Sequence, residues 1–244
     1  MGSPFRSSSF GSSSGYLPLG VKWLLILNTA IFLIQFALYH GFGIGMNFLK
    51  LTPEQTVRGF LWQPLTYMFL HSAVDVSHVL WNMVSLFFMG PMLEGSWGRT
   101  TFLKYYVYCG AGAAVCVVIA SFLMGGRDLP TVGASGALFG LLIAYGVLYP
   151  DVLFFGVIKA KWFVLIWGAV QFLNGIAARN SGVSYVAHLG GMLAGYLLIR
   201  FGFLGRRRGP EFDPLSAASN WYREWRLARA RRKFEVYMRK QGRN

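Results

Sequence analysis

The sequence TVGASGALFG, residues Thr131–Gly140, leads from a polar, breaker-rich loop into an apolar helix that its pattern extends to about Tyr149. Ser135 is therefore expected near the mouth of a membrane helix, between Gly133 and Gly136. Glycines there let backbone or a ligand approach closely, because no Cβ is in the way. A purely structural explanation is also open, since a helical serine can bond a carbonyl one turn earlier.

The composition excludes an ordinary soluble domain, because 55% of the 244 residues are hydrophobic and only 13% are charged. Apolar stretches long enough to cross a bilayer recur along the chain. We therefore predict an all-α polytopic membrane protein, a bundle of six transmembrane helices. The predicted spans are residues 21–40, 77–94, 101–124, 134–150, 160–177 and 184–204. Residues 41–76 are too interrupted by Gly and Pro to span, so we expect them to be partly embedded or interfacial.

We predict three parts in the chain: a flexible tail at 1–20, the membrane domain at 21–204 and a basic tail at 205–244. With six spans, both termini share one side, and that side carries more Lys and Arg than the other. The positive-inside rule makes it the cytoplasmic side. The basic, aromatic C-terminal tail is typical of a segment lying on the anionic membrane surface, and no nucleic-acid partner is expected.

Four polar side chains are predicted to share one depth in the membrane. Spans two, four and six all start on the outer side; His78 and Asn82 lie near the start of span two, Ser135 of span four and His188 of span six. Polar groups at membrane depth are costly, so they normally face the bundle interior and often mark function.

The Ser135–His188 pair indicates nucleophilic catalysis. Serine is a weak nucleophile until a base takes its proton, and histidine has a suitable pKa for that task. A triad would need a buried carboxylate to orient the histidine. None of the nine acidic residues lies in span four or six. We therefore predict a dyad.

Small residues offer a way to bring the pair together. Gly136 and Gly140 form a ridge on span four, and Gly191 and Gly195 form another on span six, so the two helices are expected to pack backbone to backbone. Phe139, one turn below the serine, would then lie beneath the imidazole and fix its plane. Plain helix packing without chemistry is the alternative explanation of these glycines.

His78 and Asn82 are four residues apart, hence on one helix face. Together with the Ser135 N–H they are candidate donors to the oxyanion of a tetrahedral intermediate. An equally good explanation of Asn82 is a hydrogen bond to a neighbouring helix. For His40 and His71 we expect interface or loop-stabilising roles.

These residues carry a family resemblance that covers roughly 20–204. The sequence Gly133–Gly136 resembles the GxSG motif of rhomboid intramembrane serine proteases. Other matching segments are similar to the family's last-helix histidine motif, second-helix pair, first external loop and turn after the second helix: Ala187–Gly195, His78–Asn82, Trp62–His71 and Glu94–Gly98. Gln63 stands where some members have Arg, which leaves the rigidity of that loop open, and Phe139 stands where many have Tyr.

The resemblance implies a six-helix rhomboid-like bundle with a dyad that opens to the outer aqueous side. Ser135 would be the nucleophile, His188 the general base and then acid, and His78 and Asn82 the oxyanion stabilisers. Gly133, Gly136, Phe139 and Gly191 would support the site.

The expected activity is cleavage of peptide bonds in or near the helices of transmembrane protein substrates, with no cofactor and no metal. The expected location is the lipid bilayer, as a multi-pass protein of a bacterial inner membrane. A proteolytically inactive relative that binds or escorts client membrane proteins is the main alternative. A small transporter would require ionisable residues at mid-membrane or paired broken helices, which the sequence lacks. No oligomeric state is predicted.

Overall fold

The computed structural model describes residues 17–154, 156–177, 183–204 and Arg229. Six long helices dominate this part of the chain: α1 (Leu19–Phe42), α4 (Val76–Trp97), α5 (Arg99–Met124), α6 (Ser135–Leu148), α7 (Ala160–Ala177) and α8 (Val183–Arg200). The predicted tails at 1–20 and 205–244 fall almost wholly outside the described residues.

Short elements fill two of the connections. Between α1 and α4 lie α2 (Pro53–Val57), α3 (Gln63–Thr66) and two 3-10 turns, Asn47–Leu49 and Tyr67–Phe69. Between α6 and α7, β1 (Leu153–Phe154) and β2 (Ile158–Lys159) form a small antiparallel hairpin in which Leu153 pairs with Lys159 and Phe154 with Ile158. As expected, the residues between α1 and α4 hold no helix long enough to span.

The prediction of an all-α polytopic membrane protein is confirmed. Among the described residues, four helices are long and apolar enough to cross a bilayer: α1, α4, α5 and α7. α6 has only 14 residues, and α8, which ends in Arg200, is not among the four. The long helices match the six predicted spans to within four residues at each end.

α6 lies at the centre of the bundle. Ten of its 14 residues are buried, and it packs against α5 and α8. Tyrosine hydroxyls tie the surrounding helices together: Tyr105 donates to the Gly140 carbonyl at 3.0 Å, and Tyr67 donates to the Gly110 carbonyl at 2.8 Å. Within a bilayer no water is available to satisfy such groups, so these cross-helix bonds favour one arrangement of the helices.

The contact between α6 and α8 is made by glycines. A Cβ placed on Gly191 would overlap the carbonyl oxygen of Gly136, and one placed on Gly195 would lie 3.0 Å from the Cα of Gly140. The predicted backbone-to-backbone packing of the two ridges is confirmed. It brings the N-terminal parts of α6 and α8 close enough for their side chains to meet.

Gln63 organises the connection between α1 and α4. Its side chain is fully buried, and its Oε1 accepts hydrogen bonds from the Thr52 N–H and the Thr56 hydroxyl, both at 3.0 Å. Its Nε2 donates to Gln55 Oε1 at 2.9 Å. Glutamine at this position therefore does not leave the loop loose, since its amide joins α2 to α3.

Glu94 ties the C-terminal end of α4 to the start of α1. Its carboxylate accepts hydrogen bonds from the N–H groups of Gly20 at 2.8 Å and Val21 at 2.7 Å. Pro18 gives α1 no side-chain cap, so the first N–H groups of the helix have no partner within it. The Glu94 carboxylate accepts hydrogen bonds from two of them. The resemblance had suggested a turn at Glu94–Gly98, but α4 continues to Trp97 and the turn comes at Gly98.

Candidate active site

Ser135 and His188 meet near the N-terminal ends of α6 and α8. Ser135 is the first residue of α6, and its Oγ lies 2.9 Å from Nε2 of His188 on α8. Both side chains are half-buried. A hydroxyl at hydrogen-bond distance from an imidazole nitrogen is the geometry required for proton transfer from serine to histidine.

Gly133 shapes the backbone that leads into α6. Its φ of +124° lies in a region that residues other than glycine rarely adopt. A Cβ at this position would lie 2.8 Å from Nε2 of His78. The same Cβ would be 3.7 Å from Ser135 Oγ. The absent side chain therefore lets the His78 imidazole lie beside the serine.

Phe139 stacks on His188. The two rings are 4.3 Å apart between centroids and inclined by 14°. This is the position expected from the one-turn spacing between Phe139 and Ser135, and it restricts the tilt of the imidazole.

Gln171 is the site residue that the sequence analysis missed. Its Oε1 lies 2.7 Å from Nδ1 of His188, and its side chain is buried on α7. In a catalytic triad the group that orients the histidine is a carboxylate, whereas here it is a neutral amide. A partial signal was present, because Gln171 and Asn174 are the two uncharged polar amides in the largely apolar span five.

Asn82 is buried on α4, one turn after His78. Its Nδ2 donates to the carbonyl oxygen of His78 at 2.6 Å, while its Oδ1 finds no hydrogen-bond partner among the described residues. Among the described residues, the Asn82 side chain therefore bonds its own helix and not a neighbouring one. The amide remains at the wall of the cavity described next.

A cavity of about 450 Å³ connects these groups. Its polar lining includes Ser135, His188, His78 and Asn82. Its apolar walls come from α4, β1 and α7, including Phe88, Phe154, Phe163 and Trp167. A mostly apolar cavity with a few convergent polar groups is typical of a binding or active site.

The rim of the cavity at the N-terminal end of α4 carries a charge that also caps this helix. Asp75 Oδ1 accepts from the Ser77 N–H at 3.0 Å and from the Ser77 hydroxyl at 2.6 Å, as expected for a cap of α4. The hydrogen bond from the Ser77 hydroxyl has the larger effect, and together the two bonds lower the pKa of Asp75 below its usual range. The rim therefore stays negatively charged near neutral pH.

His71 and His40 lie apart from the serine. His71 is fully buried in the loop before α4, and its ring centroid is 5.3 Å from that of His78. Burial lowers the pKa of His71 to about 4, so the neutral form is favoured. The exposed ring of His40 lies 3.0 Å from the carbonyl oxygen of Ala73. Both placements agree with the loop-stabilising roles expected for them.

The chain is similar to known proteins of one family. Residues 58–205 match the model of the rhomboid domain. The chain is 33% identical over 144 residues to the "putative rhomboid protease YdcA" of Bacillus subtilis, covering 57% of this chain and 66% of that protein. It is 35% identical over 163 residues to "RHOMBOID-like protein 1" of Arabidopsis thaliana, covering 62% and 38%.

A third relative carries an unqualified protease name. The "rhomboid protease GluP" of Bacillus subtilis is 30% identical over 141 residues, which are 57% of this chain and 25% of that protein. The matches thus span from a quarter to about two thirds of the length of these relatives. The match to the rhomboid domain includes every residue assigned here to the candidate site.

Proposed function

Because the chain belongs to the rhomboid family, we propose that it is an intramembrane serine endopeptidase. It cleaves peptide bonds in or beside the transmembrane helices of other membrane proteins, with Ser135 and His188 as a catalytic dyad. The observation that carries the proposal is the 2.9 Å separation between Ser135 Oγ and His188 Nε2 at the end of an apolar-walled cavity.

In the first half of the reaction, Ser135 Oγ attacks the carbonyl carbon of the scissile bond while His188 Nε2 takes the hydroxyl proton. A tetrahedral intermediate forms, with negative charge on the former carbonyl oxygen. The C–N bond then breaks, the imidazolium gives its proton to the departing amine, and an acyl-enzyme remains.

Donors for the oxyanion surround Ser135. The serine begins α6, so its backbone N–H belongs to the set at a helix start that has no intrahelical partner, and the helix dipole favours negative charge there. We assign His78 and Asn82 as the side-chain donors, because both line the cavity beside the serine. Asn82 keeps a second N–H while the first is bonded to the His78 carbonyl.

In the second half, water attacks the ester carbon and gives a proton to His188 Nε2. The intermediate collapses, the Ser135 Oγ–acyl bond breaks, and the proton returns to the serine oxygen. The product is a carboxylic acid, and the dyad is restored.

The proposal includes a topology. The termini face the cytoplasm, because more Lys and Arg lie on their side of the six predicted spans, and the membrane is a bacterial inner membrane. A reporter fused after Asn244 that fluoresces only in the cytoplasm should be bright. A dark fusion that is nevertheless inserted in the membrane would reverse the orientation.

The test of activity uses the full chain in liposomes with a single-span reporter substrate. Ser135→Ala and His188→Ala should each abolish cleavage, and each should abolish labelling of the protein by a fluorophosphonate probe. Ser96→Ala is the matched control and should behave like the parent, because Ser96 is exposed at the inner end of α4.

Two results would contradict the proposal. Cleavage that persists in Ser135→Ala would remove the serine from the mechanism. A parent protein that neither cleaves nor is labelled, yet binds membrane proteins, would instead support the client-binding alternative.

A further inference from the structure

Helix α7 joins the bundle along one narrow stripe. Its buried residues are Ala160, Val164 and Gln171, and Gly168 belongs to the same face, because a Cβ there would lie 3.1 Å from the terminal methyl of Met192. These positions follow the i, i+4, i+8, i+11 spacing of one helix face. The opposite side is apolar and exposed, as at Ile166, Phe172, Leu173 and Ile176.

Gln171 is the polar member of this stripe. Its side chain is only 6% exposed, and a buried amide requires hydrogen-bond partners to offset the loss of water. The partner is the imidazole of His188, since Gln171 Oε1 lies 2.7 Å from Nδ1. An amide at a packing position, directed at the histidine of the dyad, indicates a role beyond packing.

The hydrogen bond determines which nitrogen of His188 carries the proton. An amide oxygen only accepts, so Nδ1 must be the protonated nitrogen. Nε2 is then unprotonated and lies 2.9 Å from the Ser135 hydroxyl, ready to accept its proton. Phe139 restricts the tilt of the same ring by stacking on its face.

From this geometry, and resting on the proposed function, we infer that Gln171 is a positioning residue for the reaction. It holds His188 in the tautomer and in-plane orientation that allow the imidazole to act as the base for Ser135. In serine proteases with a triad, a buried aspartate performs this task. Here a neutral amide performs it from a third helix and adds no charge to the membrane interior.

The test measures the second-order rate of fluorophosphonate labelling, which reports on Ser135 without substrate docking, and kcat and KM for a reporter substrate. Gln171→Leu should lower the labelling rate about 10- to 100-fold, part of the 10²–10⁴-fold effect of a complete general base. The loss should appear in kcat, with KM changed less than about threefold, because the bond acts on the chemical step.

Gln171→Glu tests the acceptor itself. A carboxylate still accepts from Nδ1–H, so labelling should recover to within about threefold of the parent. Because a nearby negative charge favours the imidazolium, the pH of half-maximal labelling should rise. If Gln171 served only to stabilise the fold, neither the recovery of the labelling rate nor the shift of its pH profile would be expected.

The matched control is Asn174→Leu, the same kind of change three residues along α7 at an exposed position, and it should label like the parent. If Gln171→Leu does not accumulate in the membrane, Gln171→Met keeps the unbranched shape without the acceptor.

Each failure has its own signature. A folded Leu or Met variant that labels within twofold of the parent, or a Glu variant with an unshifted pH profile, would overturn the role of Gln171 and leave the dyad intact. A parent that is not labelled would overturn the proposed function together with this inference.

Discussion

Gly191 of α8 lies against Gly136 of α6 so closely that a Cβ on Gly191 would overlap the Gly136 carbonyl oxygen. The neighbour is backbone, which cannot rotate away as a side chain can. The distance between Ser135 and His188 therefore depends on the absence of a methyl group one turn away from the histidine.

Gly191→Ala is expected to separate α6 from α8. Overpacking of this kind costs about 1–3 kcal/mol of stability, and the dyad distance should lengthen with it. We expect a lower thermal unfolding midpoint in detergent and loss of most fluorophosphonate labelling. Gly95→Ala is the control: a Cβ at Gly95 meets nothing within 4 Å, so the unfolding midpoint should stay the same or rise. Equal stability and labelling of both variants would contradict the close helix contact.

Glu94→Gln should weaken the attachment of α1. The amide keeps one acceptor but turns an NH₂ group toward N–H donors, and the charge that favours a helix N-terminus is lost. The expected cost is about 1–3 kcal/mol of unfolding free energy. Glu54→Gln, which breaks an exposed pair with Arg58, should cost less than about 1 kcal/mol. If the two variants unfold alike, Glu94 does not cap α1.

Gln63→Leu should loosen the connection between α1 and α4. The Thr52 N–H and the Thr56 hydroxyl lose their shared acceptor in a buried site, at a cost of about 1–3 kcal/mol. Hydrogen exchange at α2 and α3 should accelerate while exchange in α5 and α6 stays slow. Arg58→Leu, at an exposed position of the same connection, is the control. Unchanged exchange at α2 and α3 would show that Gln63 does not organise the connection.

His71 should make stability dependent on pH on the acid side. Burial lowers the folded-state pKa from 6.5 to about 4, so between these values the unfolded chain binds more protons than the folded one. The stability present above pH 6.5 is therefore lost as pH falls toward 4, by about 3 kcal/mol from the size of the shift.

The measurement for His71 is the unfolding midpoint between pH 4 and 8. His71→Leu should flatten the acid-side fall, because leucine has no group that binds a proton. His40→Leu, at an exposed histidine, should keep the parent's profile. If His71→Leu loses stability toward low pH as steeply as the parent and His40→Leu do, His71 is not the source of the pH dependence.

The sequence predicted the spans well because a bilayer imposes a length and an apolar composition that are visible in one dimension. It also paired Ser135 with His188, because helix direction fixes depth and because the glycine ridges of α6 and α8 indicate which faces touch. Both deductions use regularities of single helices. The long helices follow from them, whereas the short elements between α1 and α4 and the β1–β2 hairpin between α6 and α7 do not.

Contacts that depend on the rotation of a helix about its axis are harder to predict from the sequence. Gln171 contacts His188 only because α7 turns its narrow buried stripe toward α8. The expectations for Asn82 were a donor to the oxyanion or a bond to a neighbouring helix, and neither includes its hydrogen bond to the His78 carbonyl on its own helix. Glu94 reaches a helix start more than 70 residues away, a contact that no local pattern contains.

The shortness of α6 has a consequence for what fills the membrane above it. Fourteen residues rise about 21 Å, roughly 9 Å less than the hydrocarbon thickness of a bilayer. At its N-terminal end, which carries Ser135, α6 is preceded by the non-helical residues Val132–Ala134. Lipid chains solvate such backbone poorly, whereas water solvates it well. In the protease proposed above, this non-helical segment would admit the water that the hydrolysis consumes.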